Sequence, residues 1–171
     1  MALTPAVHVC FICKGNICRS PMATILYRHH LRKADLDRHV HVTSAGLFDW
    51  YVGSPADPRT MAVLRSKGIP GEHVAACVDS DHLSADLIVA MDEANLRQVR
   101  EIAPPGADIR LMRSFAAVSP REPAPDVPDP YYGDDDDFRT VFDVLEDSMP
   151  GLVRWTRERL AYGGIAEETT G

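Results

Sequence analysis

The chain has 171 residues, of which 45% are hydrophobic and 25% are charged, a balance typical of one globular domain with a sizeable core. Its formal net charge of -7 argues against nucleic acid as a partner, because binding to backbone phosphates needs a concentrated excess of Lys and Arg. The N-terminus lacks the pattern of a secretion signal, and no apolar run is long enough to cross a bilayer, so we expect a cytoplasmic protein without a membrane partner.

The first predicted element is a strand at residues 7–12, whose apolar and β-branched residues are typical of a strand buried on both faces of a parallel sheet. A loop follows, and then a helix. We expect Ser20 to cap this helix and Pro21 to occupy its first position, where a missing N–H costs nothing. The unit is therefore a strand, a loop and the N-terminus of a helix.

The same alternation continues along the chain. Further strands are predicted at residues 40–44, 87–91 and 109–112, and further helices at residues 58–67, at residues 93–102 and from residue 138. This order indicates a doubly wound α/β fold, with a four-stranded parallel sheet and helices on both faces in a single domain. We assign residues 5–163 to this domain and residues 164–171 to a flexible C-terminal tail, and we expect a monomer.

A long loop rich in Pro and Asp spans residues 113–137, and loops of this length in compact domains are usually functional or mobile. The acidic run at its end, residues 134–137, is expected to be solvated, with its last members capping the closing helix; a docking surface for a basic partner is the alternative. Within that helix, Gly151 follows Pro150 and is expected to mark an irregularity.

The loop after the first strand reads Cys13-Lys14-Gly15-Asn16-Ile17-Cys18-Arg19-Ser20-Pro21. A loop at a helix N-terminus turns several backbone N–H groups toward one point, where the helix dipole adds partial positive charge. Gly15 permits backbone conformations closed to other residues, and the planar guanidinium of Arg19 suits phosphate oxygens. The loop therefore predicts a site for a phosphate-sized anion, in which the same donors stabilise a thiolate at Cys13.

A second motif lies far along the chain, at Asp129-Pro130-Tyr131-Tyr132. With this motif and the pattern Cys-x5-Arg-Ser at its N-terminus, the chain resembles the low-molecular-weight protein tyrosine phosphatases. Its preference for Arg over Lys indicates the bacterial type. The resemblance implies a phosphotyrosine-containing protein as substrate. It implies that Cys13 attacks phosphorus and forms a cysteinyl-phosphate, that Arg19 and the loop amides bind the phosphate, and that Asp129 is the general acid and then the base. Nothing in this chemistry requires a metal or another cofactor.

The resemblance also implies supporting roles. Ser20 would give a hydrogen bond to the Cys13 thiolate, and Asn16 would hold the loop by bonding to Ser44 and to a His that aligns with His73. The substrate would be bound by residues of the loop and by aromatic walls at the cleft mouth: Lys14, Gly15, Ile17, Cys18, Trp50, Tyr131 and Tyr132. In some relatives kinases phosphorylate the equivalents of the two tyrosines, which is the alternative role for that pair.

Four cysteines without a secretion signal indicate reduced thiols rather than a disulfide framework. Cys10 and Cys13 have zinc-like spacing, but a partner pair is missing, so Cys10 is expected in the core, as is Cys77. For Cys18 the resemblance implies a disulfide with the nucleophile under oxidation, and a small packed residue is the alternative.

Two other residues of the site have alternative interpretations. Asp126 competes with Asp129 for the role of the acid, but it is expected to be a loop or turn residue. Lys14 stands where the family usually has a small or apolar residue. A cation there would strengthen phosphate capture or stabilise the Cys13 thiolate, and a solvated side chain without a role is the alternative.

Three other functions compete with this prediction. Thioredoxin-linked arsenate reductases share the scaffold but need two further cysteines downstream, where this chain has only Cys77. Phosphoarginine phosphatases tend to carry Thr at the position of Ile17, and the apolar Ile17 with Trp50 favours an aryl substrate. A phosphate-binding module without turnover would need Arg19 but not Asp129.

Overall fold

The computed structural model describes residues 5–117 and 124–168. Its strands are β1 (Val7–Cys13), β2 (Val40–Gly46), β3 (Leu87–Ala90) and β4 (Ile109–Leu111). Its helices are α1 (Arg19–Lys33), α2 (Pro58–Ser66), α3 (Ser80–Leu83), α4 (Glu93–Ile102) and α5 (Asp135–Glu168), with 3-10 turns at Asp37–His39 and Met112–Phe115. Every predicted strand and helix is present. The short helix α3 was not predicted, because a single turn is too short to show a helical period.

The four strands pair in parallel in the order β2-β1-β3-β4, with helices on both faces, which confirms the predicted doubly wound fold. The chain passes from β1 to β2 on one side and later to β3 on the other. The carboxyl end of β1 is therefore the point where the strand order reverses, and open α/β sheets place their ligands there.

Residues of β1 alternate between the two faces of the sheet. Phe11 and Cys13 belong to the larger core, which is formed with α1, α2 and α5, whereas Cys10 and Ile12 belong to a smaller core with Val99 of α4. Cys10 is fully buried, as predicted. Because the side chains of Cys10 and Cys13 point to opposite faces of one strand, they do not form a common metal site.

Cys77 lies outside both cores and is only half buried, so the prediction that it is a core residue is wrong. Its segment runs along the edge of the sheet beside the end of β2. Gly46 pairs with Cys77 in an isolated bridge, and the Gly46 N–H donates to the Ala76 carbonyl at 2.8 Å. A segment that covers only a sheet edge leaves one of its sides open to solvent.

Helix α1 begins at Arg19, so the prediction that Ser20 caps it is wrong. Cys18 is the N-cap residue, and its side chain makes no capping hydrogen bond. Ser20 is buried in the first turn and its Oγ lies 2.9 Å from the Cys13 Sγ. The Ser20 hydroxyl therefore contacts Cys13 and does not cap α1.

Helix α5 is capped by Asp134, the first residue of the acidic run rather than one of its last. The Asp134 N–H donates to Asp137 Oδ2 at 2.8 Å, and the Asp137 N–H donates to Asp134 Oδ1 at 3.1 Å. The helix extends to Glu168, past the domain boundary assigned at residue 163, and that boundary stays a prediction. The flexibility of residues 164–171 stays a prediction, and residues 169–171 lie outside the described part.

No helix of the described residues has both the length and the apolar composition needed to span a bilayer.

Gly151 does not interrupt α5, which is continuous through Pro150 and Gly151, so the predicted irregularity is wrong. The glycine instead lets the 3-10 turn approach the helix. A Cβ atom at Gly151 would overlap the carbonyl oxygen of Phe115. Close packing between two elements, rather than the bending of one, therefore accounts for this glycine.

We expect Gly151→Ala to lower the free energy of unfolding by about 1–3 kcal/mol, because the added methyl must displace the Phe115 backbone. Urea denaturation measures this change. Gly163→Ala is the matched control, since it lies in the same helix and a Cβ there meets nothing within 4 Å. The control should unfold at the same or a slightly higher urea concentration. A Gly151→Ala protein as stable as wild type would contradict the close approach.

Candidate active site

The loop between β1 and α1, hereafter the phosphate loop (residues 13–19), is held by the buried side chain of Asn16. Its backbone has a φ of 58°, in the left-handed region that Asn adopts more readily than most residues. Its Nδ2 donates to Ser20 Oγ at 2.7 Å and to Ser44 Oγ at 3.0 Å, and its Oδ1 accepts from the Ala76 N–H at 2.9 Å. One amide therefore ties the loop to α1, to β2 and to the segment beside β2.

His73 contacts the same residue from outside the loop. Its Nε2 lies 2.8 Å from the Asn16 carbonyl oxygen, which only accepts, so this nitrogen carries the proton. Burial lowers the pKa of His73, which favours the neutral ring. The structure thus brings together the four supporting residues predicted from the resemblance: Ser20, Asn16, Ser44 and His73.

Cys13 lies at the floor of the loop, and the residue is 3% exposed. Ser20 Oγ, 2.9 Å from this sulfur, also accepts a hydrogen bond from Asn16 Nδ2. Because a hydroxyl has a single hydrogen, the bond accepted from Asn16 leaves that hydrogen free to point at the sulfur. The Ser20 hydroxyl is thus placed to donate to the Cys13 sulfur.

Arg19 is 3% exposed and is held mainly through one end of its guanidinium. Its Nη1 donates to Asp92 Oδ2 at 2.7 Å and to the Val127 carbonyl at 3.0 Å, while its Nη2 lies 3.6 Å from Asp129 Oδ2. Burial opposes the charge, but the nearby Cys13 and Asp92 outweigh it and raise the pKa of Arg19. The arginine is therefore a fixed cation beside Cys13.

Asp92 was not predicted as a site residue. It follows β3 and also caps α4, accepting the Asn95 N–H at 2.7 Å. Its place after a buried strand, at the sheet edge where the phosphate loop begins, is the signal that could have identified it.

The phosphate loop forms the floor of a cleft that gathers all the predicted catalytic and substrate-binding residues. The lining consists of Cys13, Lys14, Gly15, Ile17, Cys18, Arg19, Trp50, Tyr51, Asp129, Tyr131 and Tyr132. Asp126 is not among these residues. Its Oδ1 accepts the Glu93 N–H at 2.9 Å, so it holds the start of α4.

Tyr51 forms one wall of the cleft and was not predicted. Its hydroxyl donates to the Tyr131 hydroxyl at 3.1 Å, and this bond raises the pKa of Tyr51 to about 12. Tyr131 in turn contacts Tyr132 edge to face, with ring centroids 4.9 Å apart.

Gly15 has no left-handed φ, so the prediction that this position needs the conformational freedom of glycine is wrong. A Cβ atom there would lie 2.9 Å from the Tyr51 ring, and the glycine makes room for that wall.

Lys14 lies at the rim of the cleft, over a pair of stacked rings. The rings of Phe48 and Trp50 are 4.5 Å apart and nearly parallel. The Lys14 Nζ lies 5.6 Å from the centroid of Trp50 and 6.0 Å from that of Phe48, within reach of a cation–π interaction. The exposed lysine is thereby kept at the mouth of the cleft.

Cys18 lines the cleft as a neutral thiol. Burial, and then the neighbouring Asp57, raise the pKa of Cys18 to about 12. Cys13 and Cys18 are both free thiols, and the disulfide between them stays a prediction.

The comparisons with known proteins agree with this geometry. A family model described as low molecular weight phosphotyrosine protein phosphatase matches residues 8–161. The chain belongs to this family. The recognition made from the two sequence motifs is thus confirmed, and the protein is a low molecular weight protein-tyrosine phosphatase.

Relatives of this phosphatase match over nearly their whole length. Low molecular weight protein-tyrosine phosphatase A of Mycobacterium tuberculosis is 48% identical over 162 residues, covering 95% of this chain and 99% of the relative. A solved protein tyrosine phosphatase from Entamoeba histolytica, with Hepes in its active site, has a TM-score of 0.83 and 31% identity over 89% of this chain and 97% of that chain. A Drosophila arginine phosphatase has a TM-score of 0.77 and 28% identity, covering 86% of this chain and 96% of that chain.

We expect Asn16→Ala in this phosphatase to lower the free energy of unfolding by about 2–4 kcal/mol. It leaves buried partners unpaired and puts Ala at a left-handed φ. Urea denaturation measures the loss, and phosphatase activity should fall with it. Ser44→Ala, which removes one of the same hydrogen bonds, should cost only about 1 kcal/mol. Equal losses in the two variants would contradict the central place of Asn16.

Proposed function

We propose that this phosphatase acts on phosphotyrosine in proteins through a cysteinyl-phosphate intermediate. The observation that carries the proposal is the grouping of three side chains around one cleft. Cys13 lies on the floor, Arg19 lies beside it, and Asp129 approaches Arg19 to 3.6 Å. A nucleophile, a cation for phosphate oxygens and a carboxyl for proton transfer are the groups that hydrolysis of a phosphate monoester needs.

In the first step the Cys13 thiolate attacks phosphorus, and an S–P bond forms as the bond to the tyrosine oxygen breaks. Arg19 and the N–H groups of the phosphate loop hold the other phosphate oxygens as their charge redistributes. The Asp129 carboxyl gives its proton to the departing phenolate oxygen, which is a poor leaving group because its conjugate acid has a pKa of about 10.

In the second step a water molecule attacks phosphorus and the S–P bond breaks. Asp129, now a carboxylate, takes a proton from this water. The electrons of the S–P bond return to Cys13, where the Ser20 hydroxyl at 2.9 Å stabilises the thiolate as it leaves. The product is inorganic phosphate, and the enzyme returns to its initial state.

The walls of the cleft support an aryl substrate over phosphoarginine. The rings of Trp50, Tyr51 and Tyr131 line the cleft and supply aromatic surface for a phenyl group, and the apolar Ile17 lines it too. Asp129 in the cleft supports turnover over mere phosphate binding. The half-buried Cys77, on a sheet edge, gives no support to the arsenate reductase alternative, which needs two downstream cysteines. The monomeric state, the cytoplasmic location and the lack of nucleic-acid and membrane partners stay predictions.

We expect Cys13→Ser to abolish hydrolysis of a phosphotyrosine peptide. Asp129→Asn should lower kcat/KM for phenyl phosphate by about a hundredfold to ten-thousandfold, because the leaving oxygen then receives no proton from the enzyme. The loss should be smaller with p-nitrophenyl phosphate, whose leaving group is more acidic. Steady-state kinetics with both substrates measure the two losses. Unchanged turnover in Cys13→Ser, or equal losses of Asp129→Asn on both substrates, would contradict the mechanism.

We also propose that Lys14 attracts anionic substrates to the cleft. Lys14→Met should raise KM for a phosphotyrosine peptide by about two- to fivefold at low salt, with kcat unchanged, and added salt should shrink the difference. The matched control is Lys33→Met, which removes the same charge from the far end of α1. A KM for Lys14→Met equal to that of the control at every salt concentration would leave Lys14 as a solvated side chain.

A further inference from the structure

Arg59, in the first turn of α2, contacts the N-cap residue of its own helix and the turn that follows Asp129. Its Nε and Nη2 donate to the two carboxylate oxygens of Asp57, at 3.1 and 3.0 Å. Its Nη2 also donates to the Tyr131 carbonyl at 3.1 Å, and its Nη1 donates to the Gly133 carbonyl at 3.0 Å. The guanidinium lies over the Phe138 ring, 4.3 Å from the centroid. One side chain therefore joins α2 to the turn that follows Asp129.

The start of α2 is itself fixed to the phosphate loop. The Asp57 N–H donates to the Ile17 carbonyl at 2.8 Å, and Thr60 Oγ1 donates to the Cys18 carbonyl at 3.2 Å. The Asp57 side chain also caps α2, accepting the Arg59 N–H at 2.9 Å. Arg59 thus projects from a segment that is hydrogen-bonded to the phosphate loop.

The loop that carries Asp129 has no regular secondary structure of its own from residue 124 to residue 134. Upstream of Asp129 it is fixed at Val127, whose N–H donates to the Met91 carbonyl at 2.8 Å and whose carbonyl accepts from Arg19 at 3.0 Å. Downstream it makes a tight turn, closed by the Gly133 N–H and the Pro130 carbonyl at 2.8 Å. Arg59 holds this turn.

The Asp129 carboxyl depends on that turn for its position. The carboxyl is 46% exposed, and its Oδ1 accepts the Tyr131 N–H at 3.2 Å. Tyr131 therefore orients the Asp129 carboxyl through its N–H, and the carbonyl of the same Tyr131 is held by Arg59. A displacement of the turn would carry the carboxyl away from the leaving oxygen, and misplacement of a catalytic group by about 1 Å is enough to cost a hundredfold in rate.

We propose that Arg59 is a positioning residue for proton transfer: it holds the turn after Asp129 against the phosphate loop and so sets the distance between acid and nucleophile. This inference rests on the proposed role of Asp129. Arg59 grips backbone carbonyls, so its effect does not depend on which side chains stand at positions 131 and 133. Arginine suits the task because its planar fork reaches a carboxylate and two carbonyls together, which the single ammonium of lysine does not.

Loss of Arg59 also lowers the free energy of unfolding, because the Asp57 side chain is only 9% exposed while that of Arg59 is 32% exposed, and a buried carboxylate without its partner is destabilising. Stability alone therefore does not separate the two roles. A positioning role predicts a loss in kcat/KM that depends on the presence of Asp129, whereas a purely structural role predicts the same loss with or without Asp129.

The test is a double-mutant cycle with phenyl phosphate. Arg59→Met keeps an apolar stem over Phe138 but removes every donor, and it should lower kcat/KM by about tenfold to a hundredfold. In the Asp129→Asn background the same substitution should lower kcat/KM less than about twofold, because the acid it positions is already absent. Arg59→Lys should recover part of the loss in kcat/KM. If Arg59→Met does not fold, Arg59→Lys replaces it in the same double-mutant cycle.

Lys67→Met is the matched control. Lys67 follows α2 and also lies over a ring of α5, with its Nζ 5.4 Å from the Phe142 centroid, yet it is not among the residues that line the cleft. It should leave kcat/KM at the wild-type value, and urea midpoints of all variants give the stability comparison.

Two results overturn the inference alone: a wild-type kcat/KM in Arg59→Met, or an equal penalty for Arg59→Met with Asp129 and with Asn at that position. If Asp129→Asn alone left kcat/KM for phenyl phosphate at the wild-type value, that result would overturn both the role of Asp129 and this inference.

Discussion

The active site depends on the buried hydrogen bonds of one amide, that of Asn16. A loop that turns its N–H groups inward toward an anion needs support from outside its own backbone, and Asn16 supplies it from a left-handed conformation. Buried hydrogen bonds of this kind are costly to leave incomplete, so the network has one stable arrangement. The same amide orients the Ser20 hydroxyl toward Cys13. The shape of the loop and the surroundings of the Cys13 sulfur are thus set by the same contacts.

Arg19 connects the phosphate loop to the loop that carries Asp129. A buried guanidinium is costly unless carboxylates and carbonyls surround it, and here Asp92 and Val127 bind one of its nitrogens. Those contacts fix the far end of the side chain. Its Nη2 stays on the side of the cleft, 3.6 Å from Asp129. The cation is oriented before any substrate arrives, so its interaction with phosphate needs little rearrangement.

The elements that could be predicted from sequence are those whose signals are local and repeated. The strand-loop-helix unit around Cys13 and the alternation that follows it predicted the sheet, and two motifs predicted the family and the residues that meet in the cleft. The errors arose where tertiary contacts override a local pattern: Ser20 turns to Cys13 instead of capping α1, and Gly151 makes room for Phe115 instead of bending α5. Asp92 and Arg59 were missed because their partners lie far away in sequence, at Arg19 and at Tyr131.

The cleft separates a rigid floor from an exposed rim. Cys13, Asn16 and Arg19 are each at most 3% exposed, whereas Trp50 is 62% and Tyr132 is 97% exposed. Side chains of the rim extend from backbone that the floor already holds, so their chemistry can change without disturbing the network beneath them. The same separation explains how a protein with a net charge of -7 can attract a phosphate dianion. The field in the cleft comes from the start of α1, from Arg19 and from Lys14 at close range, while the acidic groups of the outer surface act through water and salt.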